Sequence, residues 1–425
     1  MPRNGAVHIK VPEASIPVVA RPDVLVVGGG SAGLSAAIAS ARMGANVLLL
    51  ERFNYLGGLA TGGLIVLLLT LDDGAGRQVI GGLCQETVDR MEKRGGVHYP
   101  PKERWGDPDP ALVERWNRWG LVWGSGPHRV RYSVAFDPHE LIFAADQMIR
   151  EAGVRVLYQT LGCEPVVEDG RISAVIIQNK AGRQAIVPAF VIDATGDGDV
   201  FAAAGEEFDL ERVHPWLWFL MSNVKDIERA LDSKRGLFFH AIGKGQVLVP
   251  WGGEARIGRR IDATNPVEVS DALAECRQMV MDEATRLKAN VPGFEDAYVS
   301  LVADQLGVTE SRRLRGRYVL RREDLDKPFD DVIAVTGHWT KYACVYNIPY
   351  RSLLPQRITN LVAAGRCIST DHRTHHATKE IPPCMATGQA AGTAAVLALR
   401  SNATAGEVDV VSLQAELRSQ GAILA

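Results

Sequence analysis

The chain has 425 residues, of which 23% are charged and 46% are hydrophobic, and its formal net charge is −3. This length is typical of about two to three domains, and the composition excludes a largely disordered protein. The sequence has no long basic stripe for nucleic acid, no apolar run near the roughly 20 residues of a membrane-spanning helix, and no apolar signal-peptide core in its first 22 residues, so we expect a cytoplasmic protein.

The chain begins its ordered part with a strand–turn–helix–strand pattern. Residues 23–27 (DVLVV) are a short apolar run without alternation, which is typical of a strand buried on both faces of a parallel sheet. The glycine-rich turn GGGSAG follows, and the alanine-rich residues 34–44 predict a helix that ends at Gly44. Residues 46–50 (NVLLL) predict a second buried strand, so this region is one βαβ unit.

The middle of the chain contains several segments of different predicted structure. Residues 66–129 contain four tryptophans and several prolines and predict an irregular insertion. Residues 136–153 predict a helix that starts at Asp137-Pro138, and residues 154–194 predict a β-meander that returns to a buried strand. Residues 206–330 predict a separate module.

The last part of the chain returns to the pattern of the first. NLVAAG at 360–365 predicts a strand, and residues 384–400 predict a helix of small residues. Because the first and last parts both look like pieces of one nucleotide-binding core, we expect domains that are discontinuous in sequence.

The turn after the first strand has the spacing of a phosphate-binding loop. Gly28 permits a tight turn, Gly30 lets the backbone approach a pyrophosphate, and Gly33 lets the helix pack closely on the sheet. The helix N-terminus offers free N–H groups to phosphates, and Glu51 at the end of the next strand can accept hydrogen bonds from ribose hydroxyls. The pattern predicts a bound dinucleotide.

Three further segments favour FAD over NAD. The side-chain-poor stretch 57–63 can run alongside an extended ligand, and residues 193–199 (DATGDGD) end a predicted strand with small residues. Gly365-Arg366 ends another strand, and Pro382-Pro383 leads into a helix from Cys384 whose N-terminus can face the ligand. A helix dipole there would stabilise the negative charge of a reduced flavin.

These stretches together resemble a known family. DVLVVGGGSAGLSAAIASARMGANVLLLER, NYLGGLAT, VIDATGDGDVFAAAG, LGVTESRRLRGRYVL, YNIPYRSLLP and NLVAAGRCIS…PPCMATGQAAGTAA are similar to FAD-dependent oxidoreductases of the glutathione-reductase type, in the fumarate-reductase-like branch with a single dinucleotide fold. The resemblance extends from about residue 20 to residue 400.

The resemblance implies a set of FAD contacts, with the adenine near Gly162 or Cys163. These positions are Gly28, Gly30, Ser31, Ala32, Gly33, Glu51, Arg52, Gly57, Gly58, Ala60, Thr61, Gly162, Thr195, Gly196, Gly365, Arg366, Pro383 and Gly388. No second GxGxxG follows a strand, so we expect electrons to arrive with the substrate or from a separate donor. An external electron donor or acceptor is therefore an expected partner.

The fold expected from these features is α/β, with a Rossmann-type FAD-binding domain that includes a β-meander and with a second α+β substrate domain. We assign residues 20–65, 130–205 and 331–400 to the FAD-binding domain. Residues 66–129 and 206–330 form the substrate or cap domain, and residues 401–425 form a C-terminal helical tail.

The candidate catalytic residues lie near the second domain. Arg312 or Arg313, in the cluster ESRRLR, can anchor a substrate carboxylate or stabilise reduced flavin, or can be ion-paired on the surface. His338 in TGHWTKY can act as an acid or a base, or can be a structural histidine.

Three histidines follow the GRCIS strand. One of His372, His375 and His376 can face the flavin or the substrate, with His372 as our candidate, or all three can belong to a polar loop. No cysteine or carboxylate spacing supports a metal site. Trp116, Trp119 and Trp123 have helical spacing, which indicates packing, an oligomer contact, or an aromatic wall for a substrate.

The function expected is hydride transfer between a small organic substrate and FAD. The alternatives are a flavin monooxygenase that uses external NAD(P)H, a redox-neutral FAD enzyme, and a flavin-binding sensor without turnover. We expect a small-molecule substrate, neither nucleic acid nor a membrane span, and a flavin that acid denaturation releases, and the oligomeric state stays open.

Overall fold

The computed structural model describes residue 9 and residues 13–254 and 256–424. Among the described residues, no helix is both long and apolar enough to cross a membrane. The strands, in chain order, are β1 (Val18–Ala20), β2 (Val24–Val27), β3 (Val47–Leu50), β4 (Leu67–Leu68), β5 (Val97–His98), β6 (Val134–Phe136), β7 (Arg155–Leu157), β8 (Leu161–Glu168), β9 (Arg171–Asn179), β10 (Gly182–Ile186), β11 (Phe190–Asp193), β12 (Phe208–Leu210), β13 (Phe219–Ser222), β14 (Phe239–His240), β15 (Val247–Val249), β16 (Tyr298–Val302), β17 (Arg312–Leu314), β18 (Val332–Gly337), β19 (Val345–Pro349) and β20 (Leu361–Ala363). The helices are α1 (Ser31–Arg42), α2 (Gly82–Glu92), α3 (Pro110–Asn117), α4 (Pro138–Ala152), α5 (Asp199–Ala203), α6 (Ile227–Asp232), α7 (Pro266–Asn290), α8 (His372–Thr378), α9 (Ile381–Ser401) and α10 (Val410–Ser419).

A five-stranded parallel sheet is the centre of the nucleotide-binding part. Its strand order is β20-β11-β2-β3-β7, and every pairing within it is parallel. All residues of β2, β3 and β11 are buried, as expected for strands covered by helices on one face and by the meander on the other. The strand order and the β2–α1–β3 unit confirm the predicted Rossmann-type core.

Helices α1 and α9 cross on this sheet at very close range. A β-carbon at Gly388 would lie 2.1 Å from the Ala32 carbonyl oxygen, and one at Gly392 would lie 2.2 Å from the Ala36 carbonyl oxygen. The Ser40 hydroxyl donates a hydrogen bond to the Gly392 carbonyl at 3.1 Å. The small residues of both helices are therefore required by the crossing itself.

The predicted β-meander is also present. Strands β8, β9 and β10 form consecutive antiparallel pairs, and β1 adds to β10 in parallel. The preceding helix α4 begins where the sequence predicts, because the Asp137 carboxylate accepts hydrogen bonds from the backbone N–H groups of His139 and Glu140. Gly153, in the left-handed conformation with φ 74°, ends it.

The second module is built on an antiparallel sheet of order β14-β15-β13-β16 with the long helix α7. A smaller sheet, β4-β6-β5, belongs to the same hydrophobic core. Strand β6 lies in the segment 130–205 that we assigned to the FAD-binding domain, yet it pairs with strands of the insertion. Helix α10, in the segment described as a tail, buries Leu413 and Leu417 in the core that contains α9.

Trp116, Trp119 and Trp123 do not share a helical face. Helix α3 ends at Asn117, and Gly120 follows with φ 70°, so Trp119 and Trp123 lie beyond the helix. Trp116 is buried, and Trp119 stacks near His98 with ring centroids 4.0 Å apart. Trp116 and Trp119 therefore pack within the second module.

The start of α9 lies where the two modules meet. Ile381 and Met385 belong to the core of the second module, whereas Cys384 and Ala390 belong to the core of the Rossmann part. A ligand held against this helix end would therefore touch both modules.

Candidate functional site

The glycine-rich turn between β2 and α1 is closely packed at two of its three glycines. Gly28 has φ 101°, and a β-carbon there would lie 2.5 Å from the Ala194 carbonyl oxygen. A β-carbon at Gly33 would lie 1.8 Å from the Gly28 carbonyl oxygen. These two residues are glycines because the turn and the helix packing leave no room for a side chain, as the sequence motif predicts.

Gly30 is different, because the space where a β-carbon would lie is open. A β-carbon there would have only the Gly58 α-carbon nearby, at 3.9 Å. Gly30 is the N-cap of α1 and no side chain caps the helix, so its first N–H groups are available. The backbone N–H of Gly57 donates to the Gly29 carbonyl at 2.9 Å, which brings a second bare loop beside the first. This cradle of main chain fits the pyrophosphate of a dinucleotide.

Glu51 lies at the end of β3 beside this cradle. Its carboxylate is buried and accepts hydrogen bonds from the backbone N–H groups of Gly29 (2.7 Å) and Phe53 (2.8 Å). Burial raises the pKa of Glu51, and these two hydrogen bonds oppose the rise. Each oxygen accepts a single hydrogen bond here and keeps a lone pair for a ribose hydroxyl.

The other predicted contacts in this region have local roles. The Thr61 hydroxyl donates to the Leu56 carbonyl at 2.8 Å, and the Ser31 hydroxyl donates to the Gly57 carbonyl at 3.4 Å, so both brace the loop that contains Gly58 and the buried Ala60. Arg52 is half exposed, with its guanidinium 4.0 Å from the carboxylate of Asp197.

Gly162 and Gly365 mark close approaches on either side of the cradle. On β8, a β-carbon at Gly162 would lie 2.8 Å from a methyl of Val27. Gly365 has φ 83°, and a β-carbon there would lie 2.8 Å from the β-carbon of Ala32. Both predicted contacts thus border the residues of the phosphate-binding turn.

Asp193, which the sequence analysis did not single out, shapes the loop after β11. Its buried carboxylate accepts hydrogen bonds from the backbone N–H groups of Val200 and Phe201 and from the hydroxyl and N–H of Thr195. Burial raises its pKa to about 6, and the hydrogen bonds oppose that rise. Thr195 therefore closes the loop that carries Gly196. An acid at the end of an otherwise apolar run is the signal that could have identified Asp193.

Asp197 is the centre of a charged network beside the same loop. It accepts a hydrogen bond from the Ser311 hydroxyl at 2.6 Å and pairs with Arg366, whose Nε also donates to the Gly196 carbonyl at 2.8 Å. Burial opposes ionisation of Asp197, but the Arg366 and Ser311 contacts outweigh it and keep its pKa below the ordinary value. Arg312 donates to the Asp197 carbonyl at 3.0 Å, so the structure places it in this network.

Glu310 gathers two of the candidate catalytic residues. Its carboxylate pairs with Arg313 and with His372, the latter at 2.9 Å. Arg313 also donates to the Thr370 carbonyl, and the His372 side chain is 59% exposed. Ligand atoms of Glu211, Glu310 and His372 lie within 4.8 Å of one another, but the Arg313 cation already neutralises the buried member of this group.

His375 connects this cluster to the Gly365 turn. Its ring is buried, Nε2 lies 2.9 Å from the Arg366 carbonyl, and Nδ1 lies 3.5 Å from the Glu310 carboxylate. Because only a protonated nitrogen can pair with the carbonyl, Nε2 carries the proton. Burial holds the pKa of His375 well below its ordinary value. His375 thus ties α8 to the turn at Arg366 through its Nε2–H.

His338 lies at the end of β18, where the modules meet. It is 4% exposed, its Nδ1 accepts from the backbone N–H of Thr340 at 3.3 Å, and its ring lies 5.7 Å from the ring of His376 in α8. Desolvation and the nearby Lys341 charge lower the pKa of His338 to about 3, so the imidazole is neutral at neutral pH. With Nδ1 as the acceptor, the ring proton lies on Nε2.

A buried ion pair that the sequence analysis missed holds the loop after His338. Arg131 and Asp72 pair at 3.4 Å with almost no exposure. Arg131 also donates to the carbonyls of His338 and Lys341, each at 3.0 Å, and its guanidinium lies 4.7 Å from the centre of the Tyr342 ring. Charged residues next to apolar ones, as in LTLDD and RVRYS, are the signal that could have identified this pair.

Helix α9 begins three residues earlier than predicted, at Ile381. Pro382 and Pro383 therefore occupy its second and third positions, where they contribute no N–H group. The helix end can offer its dipole and few donors to a ligand. Gly388 faces Ala32 of α1, which accounts for a glycine at that position through packing.

The family model described as FAD-dependent oxidoreductase matches residues 23–417 of the chain. The chain belongs to this family. It is therefore an FAD-dependent oxidoreductase, FAD is its cofactor, and the open cradle at Gly30 fits that group. No curated protein sequence matches significantly.

A solved structure of low sequence identity shows the same fold. The p-nitrophenol 4-monooxygenase PnpA from Pseudomonas putida is 12% identical, with 94% of this chain and 86% of that chain covered and a TM-score of 0.52. L-Proline dehydrogenase from P. horikoshii is 13% identical, with 96% and 100% covered and a TM-score of 0.48.

Proposed function

We propose that this oxidoreductase transfers a hydride between the flavin and a small organic substrate bound beside His338, in a fumarate-reductase-like arrangement. The observation that carries this proposal is the neutral His338 at the junction of the modules. Its ring contacts His376 of α8, and the adjacent His375 contacts the Arg366 carbonyl in the turn expected to face FAD. This places a polar, uncharged group on the substrate side of the proposed flavin site.

We propose that FAD lies along the cradle of Gly28, Gly30, Gly57 and Gly58, with Glu51 on the ribose. The remaining contacts expected from the sequence follow this path through residues 195–196 and 365–366 to the start of α9. FAD supplies a two-electron acceptor when it is bound. In this proposal the segments 20–65, 130–205 and 331–400 hold the cofactor, and the remaining modules shape the substrate cavity.

His338 gives this site a neutral hydrogen-bond donor. Its Nε2–H can bind a hydroxyl or carbonyl oxygen of the substrate and stabilise the negative charge that develops there during hydride transfer in either direction. Arg131 holds the loop, through the backbone carbonyl of His338, in the position that aims the ring. Trp123 and Trp339, with ring centroids 5.7 Å apart and planes at 71°, provide apolar walls that exclude water.

The test is anaerobic mixing of the holoenzyme with a panel of alcohols, hydroxy acids and amines, with the visible flavin absorbance as the readout. For a substrate that reduces the flavin, His338→Asn should slow reduction by about 10²–10³-fold, the cost of losing one preorganised donor. The exposed His139→Asn variant serves as the control and should react like the wild type. Flavin that no compound reduces, or equal rates in all three proteins, would contradict the proposal.

The second candidate is a flavin monooxygenase that draws electrons from external NAD(P)H. Trp123 and Trp339, with ring planes at 71°, favour it, because indole rings pair well with an aromatic ligand. NAD(P)H oxidation coupled to oxygen uptake and dependent on a phenolic substrate would support this candidate. Turnover of a substrate without flavin reduction or oxygen uptake would instead indicate redox-neutral chemistry.

A further inference from the structure

A cleft on the second module lies apart from the proposed flavin site. It has a volume of about 570 Å³ and lies between α2, β5 and the segment that contains Trp105. Arg131 and Tyr132 are neighbours in the chain, but Arg131 contacts the carbonyl of His338 whereas Tyr132 lines this cleft. The cleft therefore opens away from the loop that holds His338, and its volume is in the range of small-molecule sites.

The wall of the cleft is a preformed aromatic platform. Trp105 stacks on Tyr132 with ring centroids 4.0 Å apart and planes at 12°, and Tyr99 lies 5.7 Å from Tyr132. The indole N–H of Trp105 donates to the Pro100 carbonyl at 2.9 Å, which fixes the orientation of the ring. A β-carbon at Gly76 would lie 2.7 Å from the Trp105 carbonyl oxygen, so the backbone behind the ring is also closely packed. Little ordering is then needed when a ligand binds.

Polar groups of several kinds surround this platform. The Gln85 carbonyl accepts hydrogen bonds from the Tyr132 hydroxyl and from the Gln78 amide, both at 2.8 Å. The Glu92 carboxylate accepts from the Tyr99 hydroxyl at 2.6 Å. Burial raises the pKa of both tyrosines, so their hydroxyls stay protonated at neutral pH. Both Gln78 Nε2 protons are used, by the Gln85 and Ile80 carbonyls. The groups of the rim that remain for a ligand are the Gln78 side-chain carbonyl, the second Glu92 oxygen and the Lys102 ammonium.

The charges in the cleft decide between classes of ligand. The Lys102 ammonium lies 6.0 Å from the centre of the Trp105 ring and disfavours a cation there. The Glu92 carboxylate offsets this charge, so the lining has one cation and one anion and no excess of either sign. A plain aromatic ring would cover the Lys102 and Glu92 charges without bonding to them, which costs free energy. A neutral ring that has an apolar face and a hydroxylated edge satisfies both parts of the cleft.

We propose that this cleft is a binding site for a sugar ring, with the apolar face of the sugar on Trp105 and its hydroxyls on the amide and carboxylate rim. The site is independent of the reaction at His338, because none of the residues that line it belongs to the proposed flavin contacts.

Saturation-transfer NMR on the holoenzyme tests this site, with methyl β-glucopyranoside and cellobiose as the probes and with phenol and tetramethylammonium as competitors. We expect saturation of the sugar ring protons and an affinity about tenfold weaker in Trp105→Ala. Tyr298→Ala removes an exposed aromatic ring outside the cleft and should bind like the wild type.

A second pair of variants keeps the test decisive if Trp105→Ala does not fold. Glu92→Ala, at an exposed position of the rim, should weaken binding of the sugar, whereas Glu103→Ala, exposed nearby but outside the lining, should not. No transfer to either sugar, unchanged binding in the rim variants, or preferential binding of phenol or tetramethylammonium would overturn the proposal. Flavin reduction is not part of this readout, so its outcome is separate from that of the hydride-transfer test.

Discussion

At the scale of single residues, the three glycines of the phosphate-binding motif are needed for different reasons. Gly28 and Gly33 have carbonyl oxygens directly against them, whereas Gly30 faces open space. The first two are needed by the fold whether or not a ligand is bound. Gly30 is needed only when the pyrophosphate of FAD approaches the main chain. Substitutions at these glycines can therefore distinguish an effect on folding from an effect on cofactor binding.

Gly30→Ala should lower the stability of the apoprotein by less than about 1 kcal/mol, because the new methyl meets no atom closer than 3.9 Å and the loss is that of a better N-cap residue. It should weaken FAD binding by at least about 100-fold, since the methyl occupies the surface that approaches the pyrophosphate. Urea unfolding of the apoprotein and fluorescence titration with FAD measure the two effects.

Gly33→Ala is the matched control, because it should affect the stability of the apoprotein before it affects FAD binding. Its methyl would lie 1.8 Å from the Gly28 carbonyl, so the apoprotein itself should be destabilised. Wild-type FAD affinity in Gly30→Ala would show that the cofactor does not lie on this cradle.

His338 predicts a pH dependence of stability. The pKa of its imidazole is about 3 in the folded protein and near 6.5 in the unfolded chain. Between these values only the unfolded chain binds the proton, so the contribution of His338 to stability is fully present above pH 6.5 and is lost as the pH falls toward 3.

His338→Asn should therefore flatten the loss of unfolding free energy between pH 7 and pH 5, measured by urea unfolding. His139→Asn, at an exposed position, should follow the wild-type curve. An unchanged slope in His338→Asn would show that the imidazole is protonated in the folded state.

At the scale of elements, helices α1 and α9 cross beneath the proposed cofactor site. Helical propensity alone favours alanine over glycine by about 1 kcal/mol. At Gly392, however, a β-carbon would lie 2.2 Å from the Ala36 carbonyl oxygen, and overpacking of this kind costs about 1–3 kcal/mol. The clash should outweigh the propensity.

Gly392→Ala should thus lower the unfolding free energy by up to about 2 kcal/mol, measured by urea unfolding of the holoenzyme. Gly258→Ala is the control, since no atom lies within 4 Å of its β-carbon position and its φ is not positive. Stabilisation of the protein by Gly392→Ala would mean that the two helices are not held at this distance.

At the scale of the whole molecule, the start of α9 joins two hydrophobic cores, so a cofactor bound there should stabilise both modules together. FAD at 100 times its dissociation constant should raise the unfolding free energy by about 2.7 kcal/mol and shift one thermal transition upward. FMN, which lacks the adenosine part that Glu51 is proposed to hold, should shift the transition less. Calorimetry measures both shifts, and an equal effect of FMN would contradict the proposed position of the ribose.

The same noncovalent binding predicts the fate of the flavin on denaturation. Acid precipitation of the holoenzyme should leave the flavin in the supernatant and a colourless protein pellet. Absorbance of the two fractions measures this, and a yellow pellet would indicate a covalent bond.

Sequence alone determined the features that depend on neighbours in the chain. The apolar runs of β2 and β3, the glycine turn between them, the helix start at Asp137 and the meander follow from local pattern and backbone chemistry, and the structure confirms them. The choice of FAD is confirmed through the family to which the chain belongs.

Only the tertiary structure decided which side chains meet. Arg131 is separated from His338 by 207 residues, and Asp193 and Glu310 are recognisable as organising groups only once their hydrogen-bond partners surround them. The ends of helices also differ from the prediction, since α3 ends before Trp119 and α9 begins at Ile381 with two prolines in its first turn. Long-range contacts carry no local periodicity, because their free energy comes from burial and charge pairing between segments that the pattern of either one alone does not reveal.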